Sequence, residues 1–314
     1  MLRQFRFGVI AEKVLGRREL TRTAQAAEAG GFSTLLIRDH FLAEPFGQQL
    51  APLSSLSYVA AITGTLRVGS MVMANDYRSP VLLAKEAATI DVLSDGRFEL
   101  GLGTGFLQAE YRQAGIPFES PAVRVGRFAE AVQIYKALLS GEPVTFSGQH
   151  YRLEGVQNFP QPVQRPRPPI LVGAGGKRML GIAAREADSI GLLSAAIKDG
   201  VLVEDPTSRL ADEVEKRLHW IREAAGSRLP EIELGMFMTL LPREDRLTAA
   251  EDLIRQRGWR GVTPDQVLDM PSVFIGSAAR TAELMQERRE TYGITYYVVG
   301  PAAQGEVAQL IACL

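Results

Sequence analysis

The 314-residue chain predicts a closed eight-stranded α/β barrel with parallel strands. Three observations carry that reading. Short apolar, β-branched runs alternate with longer amphipathic segments from end to end, which implies parallel pairing. Eight such runs are present, more than an open doubly wound sheet usually holds. The turn after the first run reads Ala11-Glu12-Lys13-Val14-Leu15-Gly16, without the G-x-G-x-x-G loop that such an open sheet places there.

The strands are expected at Phe5–Ile10, Ser33–Ile37, Leu66–Met73, Arg97–Gly103, Pro169–Gly173, Asp188–Leu192, Ile232–Leu241 and Thr295–Val299. Between them, Phe128, Val132, Tyr135 and Leu139 fall on one helical face, and Leu210, Val214, Leu218 and Ile221 form a second stripe. The spacing is uneven. The stretch between the fourth and fifth strands carries a small hairpin, Val144–Phe146 and His150–Leu153 about Ser147-Gly148, then the proline-rich Pro160–Pro169. The stretch after the seventh strand, Pro242–Pro271, carries Gly258, Gly261 and Pro264. Long insertions in a barrel are expected at its C-terminal mouth, over the site. No repeat or linker marks a second domain, so residues 1–314 read as one.

Composition limits the function classes. With 46% hydrophobic and 23% charged residues and a net charge of -1, the chain reads as globular, with no basic stripe for nucleic acid. The lone Cys313 allows no internal disulfide, no Cys/His cluster suggests a metal, and no stretch reaches the ~20 apolar residues of a membrane span. The start of the chain shows no secretory pattern, and the expected location is cytoplasmic.

Chemistry in such barrels gathers where strands end. The second strand ends Arg38-Asp39-His40-Phe41, and His40 can exchange protons near neutral pH; a capping Asp with a solvated His reads equally well. The third ends Met71-Val72-Met73-Ala74-Asn75-Asp76, an apolar strand running into polar groups. The fourth ends Gly101-Leu102-Gly103-Thr104-Gly105-Phe106, where alternate glycines suit a close-approaching body or a positive φ. The fifth ends Gly173-Ala174-Gly175-Gly176 and feeds a helix beginning Lys177-Arg178, a ready anion site with phosphate as its natural guest. His150 and His219 read as structural or solvated.

In order, Arg38-Asp39-His40-Phe41, Ser79-Pro80, Asp95-Gly96-Arg97-Phe98, Gly101-Leu102-Gly103-Thr104-Gly105, Ser120-Pro121, Phe146-Ser147-Gly148…Tyr151 and Pro168-Pro169-Ile170-Leu171-Val172-Gly173-Ala174-Gly175-Gly176 span nearly the whole chain. This set resembles the luciferase-like oxidoreductase superfamily of TIM barrels, and is most similar to its branch dependent on the deazaflavin coenzyme F420. The resemblance implies a hydride-transfer enzyme acting on a C=C or C=N bond, or the reverse oxidation, and a homodimer. It implies a non-proline cis bulge at Met71-Val72 under the cofactor ring, with Ala74 and Asn75 near the ring edge. It also puts the family's Asp-His pair on Asp39-His40 and its phosphate turn on Gly173–Gly176. His40 is then the candidate for proton delivery or ring contact and Asp39 for orienting it, with Asp76, Tyr77 and Tyr111 as further candidates. Gly103, Thr104, Gly105 and Lys177 complete the expected cofactor site, and Lys177 with Arg178 would meet the acidic tail of F420. One departure stands out: where the family's sugar-phosphate dehydrogenases place a glutamate after the Gly-Thr-Gly turn, this chain has Phe106. That removes a proton carrier and favours an apolar substrate cavity. An FMN-dependent monooxygenase on the same fold, or a catalytically idle flavin-binding protein, are the alternative readings.

Overall fold

The computed structural model describes residues 3–314. Its first half runs β1 (Arg6–Ile10), α1 (Arg17–Ala29), β2 (Thr34–Ile37), α2 (Pro52–Ile62), β3 (Arg67–Ser70), β4 (Met73–Ala74), α3 (Pro80–Leu93) and β5 (Phe98–Gly103). Next come α4 (Gln108–Ala114), α5 (Pro121–Ser140), a hairpin of β6 (Val144–Ser147) and β7 (Arg152–Val156), β8 (Ile170–Ala174), α6 (Lys177–Glu186) and β9 (Ser189–Leu192). A second hairpin, β10 (Ala196–Lys198) with β11 (Val201–Val203), precedes α7 (Ala211–Ala225) and β12 (Glu233–Phe237). The chain closes with β13 (Thr239–Leu241), α8 (Arg246–Arg257), α9 (Pro264–Asp269), β14 (Val273–Ile275), α10 (Ala278–Tyr292), β15 (Ile294–Val299) and α11 (Gln304–Ile311).

Eight parallel positions close the barrel in the order β1, β2, β3, β5, β8, β9, β12, β15 and back to β1, with β4 continuing the third position along β5. All eight expected strands are present. Two differ from their expected form. The third is interrupted at Met71-Val72, joined by a cis peptide bond, so it runs as β3 and then β4. The seventh stops at Phe237: β13 leaves the barrel and pairs in parallel with β14, Thr239 opposite Val273. Ala249, Leu253, Trp259, Val267, Met270 and Ile275 give this excursion a small core of its own.

Helix α5 shows why the outer layer forms. Phe128, Val132, Tyr135 and Leu139 are all fully buried, and each such burial is worth roughly 1.5–3 kcal/mol. Ser120 caps its start, Pro121 occupies its first turn, and Gly141 ends it at φ +99. In α7, Val214, Leu218 and Ile221 are buried as the stripe requires, while Leu210 sits at the N-cap.

The two barrel ends are unlike. The N-terminal end is plugged by Arg6, held at 2.6 Å from Glu99 and 2.7 Å from Glu233, with Arg67 also on Glu99. Ile10, Leu36, Leu171, Tyr296 and Val298 fill the middle. The insertions gather at the other end. Even the β6–β7 hairpin, which follows the far end of α5, folds back along it: Glu130 accepts the N–H groups of Gln149, His150 and Tyr151. Among the described residues no helix is long and apolar enough to cross a membrane.

Candidate active site

The cavity in the barrel mouth takes its floor from the interrupted third strand. Met71, Val72 and Ala74 line it, with Gly103, Thr104, Gly105 and Gly173 from the neighbouring strand ends and Asp39 and His40 from the second. The glycines are explained mainly by that floor. A Cβ on Gly101 would fall 1.9 Å from the Ser70 carbonyl oxygen, and one on Gly103 would fall 2.6 Å from a Val72 methyl. Gly105 has φ +73 and would push a Cβ to 2.2 Å from the Tyr111 hydroxyl. The body that approaches the Gly101-Gly103 backbone is therefore the protein's own third strand at its bulge.

His40 is largely buried, and its Nδ1 lies 3.0 Å from Glu110 Oε2. The same carboxylate accepts the Tyr77 hydroxyl at 2.8 Å and the N–H groups of Phe41 and Leu42 at 2.8 and 3.3 Å. Burial pushes the Glu110 carboxyl up, but the hydrogen bond and charge of His40, with the bonds from Tyr77 and Phe41, outweigh it and hold the group below the ordinary glutamate range. An ionised Glu110 accepts the hydrogen bond from Nδ1–H and leaves Nε2 as the ring's free nitrogen. Burial first, then Glu110, pushes the Tyr77 hydroxyl well above the usual phenol value, so it stays a donor.

The expectation that Asp39 orients His40 is corrected. Both Asp39 oxygens are taken by Arg78, at 2.5 and 2.9 Å, and Oδ2 also accepts the Ala74 N–H at 3.0 Å. Asp39 thus pins the end of β4 to β2, and the histidine's carboxylate is Glu110. Asp76 and Tyr111 are likewise engaged by groups of the protein itself. Asp76 pairs with Arg127 at 2.9 Å, and the fully buried Tyr111 hydroxyl lies 3.1 Å from both Asp76 and the Thr104 carbonyl.

At the fifth strand end, Gly176 is the N-cap of α6 and no side chain caps that helix. A Cβ on Gly176 would meet nothing within 4 Å, whereas one on Gly175 would lie 2.9 Å from the Leu193 carbonyl oxygen. Gly175 is a packing glycine, and Gly176 is the open one. Lys177 and Arg178 are exposed on the first turn, and Arg178 donates to the Ala122 carbonyl of α5 at 3.3 Å. His150, expected to be structural or solvated, stands against Gly126 of α5 close to Arg178. Ala174 is buried in the sheet and Asn75 is buried behind the bulge, its amide nitrogen donating to the Tyr151 hydroxyl at 3.2 Å and its Oδ1 without a partner.

Sequence reasoning missed Glu110 and the apolar wall opposite the bulge: Leu193, Ile197, Met236 and Phe237, with Arg38 beside them. Arg38 is held by Glu12 at 2.5 Å and lies over the rings of Phe46 and Phe237 at 4.5 and 4.9 Å. Phe106 joins this wall and meets the His40 ring edge-on at 5.8 Å, as the substitution for glutamate suggested. Among the described residues no group of three or more His, Cys, Asp or Glu could hold a metal ion.

Comparison with known proteins places this geometry. A family model described as luciferase-like monooxygenase matches residues 5–311. An F420-dependent glucose-6-phosphate dehydrogenase of Nakamurella multipartita is 33% identical over 254 residues, 79% of this chain and 70% of that protein. Other curated relatives with that name are matched over about half their own length. The F420-dependent tetrahydromethanopterin reductase of Methanopyrus kandleri superposes with a TM-score of 0.74 at 20% identity, covering 98% of this chain and 97% of that one. A monooxygenase of Streptomyces bottropensis gives 0.73 at 24% identity, covering 98% and 96%. At such identities the two structures speak for the fold alone.

Proposed function

Because the chain belongs to the luciferase-like monooxygenase family, we propose that it is an F420-dependent oxidoreductase passing a hydride between that deazaflavin and a small organic substrate. The observation that carries the reading is the mouth cavity itself. It is an apolar slot floored by the Met71-Val72 bulge, with one histidine held by a buried carboxylate and an uncapped helix start alongside.

The residues present fit such a cofactor. Met71, Val72 and Ala74 offer a flat apolar floor for a ring, and Asn75, next in the chain after Ala74, keeps a buried Oδ1 without a partner. The N–H groups at Gly176 and Lys177, at the positive end of α6, suit a phosphate, and the exposed Lys177 and Arg178 suit an acidic tail beyond it. When bound, the cofactor supplies or accepts the hydride. His40 exchanges the proton through Nε2, the ring nitrogen that Glu110 leaves free; the ring gives a proton there only when both nitrogens are protonated, and takes one when it is neutral. Phe106, Leu193, Ile197 and Phe237 keep water from the reacting carbon and hold an apolar portion of substrate.

The chain is also proposed to pair with a second copy through the outer face of α3. There Leu82 and Leu93 are 61% and 62% exposed, and the adjoining segment exposes Phe159 and Val163 at 58% and 52%. Light scattering should report a dimer that Leu93→Glu dissociates; a monomeric native protein would contradict this.

The reaction is tested by offering reduced F420 with C=C, C=N and carbonyl substrates, and separately by following oxygen uptake with reduced FMN. Oxidation of F420 that His40→Asn slows by ~10²–10⁴-fold with cofactor affinity retained is the expected result. Oxygen uptake with FMN and no reaction with F420 would replace this reading by the monooxygenase one.

A further inference from the structure

Beyond the ring pocket the mouth holds a second chamber. The two share Arg38, Phe106, Leu193 and Phe237 as walls, so the spaces adjoin. The second chamber reaches out over β11 and α8 and is lined there by Glu204, Arg209 and Arg257.

Arg209 is the unusual member. Its side chain is only 15% exposed, yet its Nε is buried without a hydrogen-bond partner. Its nearest carboxylate, Glu204, stands 3.6 Å from Nη2, and that carboxylate already accepts the Trp259 indole N–H at 3.2 Å. Arg38, the other guanidinium on the shared wall, is satisfied by Glu12. Arg209 and Arg257 have no such carboxylate at hydrogen-bond distance among the described residues. A guanidinium carries five N–H donors, and a buried one left unpaired is costly. A purely structural clamp between Arg209, Glu204 and Trp259 would satisfy those donors, and this one does not. Burial in turn pulls the Arg209 charge down, Glu204 opposes that, and Arg257 adds to the depression by like-charge repulsion. An anion between the two arginines would relieve both effects.

We propose that the second chamber is an oxyanion subsite. It takes a carboxylate, sulfate or phosphate group of the substrate through Arg209 and Arg257, while the apolar remainder of the substrate extends past Phe106 into the ring pocket. The substrate class is thus an apolar or aromatic body ending in an acidic group. This rests on the reading that the ring pocket is where the substrate reacts.

The test is calorimetric titration of the F420-loaded protein with phenylacetate, phenyl phosphate and the neutral phenylacetamide. At least one anion should bind tenfold or more tightly than the amide, and Arg209→Met should abolish that preference. Arg257→Gln, at an exposed position that does not endanger folding, should reduce it severalfold. Equal affinity for acids and amide in the native protein would overturn the proposal. So would a preference that survives both arginine variants, or one that Gly176→Asp abolishes in the unloaded protein, which would put the anion at the start of α6. Failure of the protein to take up F420, with an Arg209-dependent anion preference still measured in the unloaded protein, would count against the cofactor reading and leave the subsite standing.

Discussion

The buried Glu110 carboxylate collects four donors, from His40, Tyr77 and the amides of Phe41 and Leu42. Substitution by Gln keeps the shape but replaces an acceptor with an NH2 group facing donors. At least one buried donor then loses its partner, at a cost of about 1–3 kcal/mol. Glu110→Gln should therefore lower stability by about that amount in urea unfolding, and lower turnover by freeing the His40 ring. The pH dependence has a definite sign. A carboxyl held below its ordinary value in the folded state stabilises fully above the ordinary glutamate range, and loses that contribution as pH falls through its folded value. The stability gap between native protein and variant should therefore narrow in acid; a gap that widens would contradict the assignment. Asp39 and His40 were legible in the chain because they stand directly after an apolar strand. Glu110 was not, since it sits on a seven-residue helix too short for a periodic signal and acts on a histidine 70 positions away.

At the scale of elements, the strand ends divide into those that shape the barrel and those left open. The eight barrel strands could be read because each is a run of apolar residues bounded by turns. The strands β10, β11 and β14 could not, because three residues carry no period, and β13 was read only as the end of the seventh strand. The alternating glycines were legible as places of close approach, but the chain alone does not say that the approaching body is Val72. The Gly173–Gly176 turn was legible too, and the structure distinguishes its members. Gly176 has extended φ and ψ and open space around it, so an acidic residue fits there and supplies the missing N-cap. Gly176→Asp should stabilise α6 slightly, by about a few tenths of a kcal/mol, read as a small rise in Tm. Its charge should also weaken F420 binding at least tenfold, with repulsion of the phosphate as the cause. Binding that is unchanged or tighter would mean that no phosphate lies at this helix start.

On the scale of the whole molecule, the barrel separates stability from chemistry along its axis. The Arg6, Glu99 and Glu233 cluster closes one end, while the β10–β11 hairpin and the start of β13 help to wall cavities at the other. The mouth carries a basic margin in Lys177 and Arg178, which an acidic cofactor tail would use and FMN, ending at its phosphate, would not. The choice of cofactor is therefore the central claim, and equilibrium titration of the purified protein with F420 and FMN, at low and high salt, tests it most directly. F420 should bind the more tightly, and added salt should weaken it more steeply than FMN because several tail charges are screened at once. Tighter binding of FMN, or equal salt dependence for the two, would contradict the account.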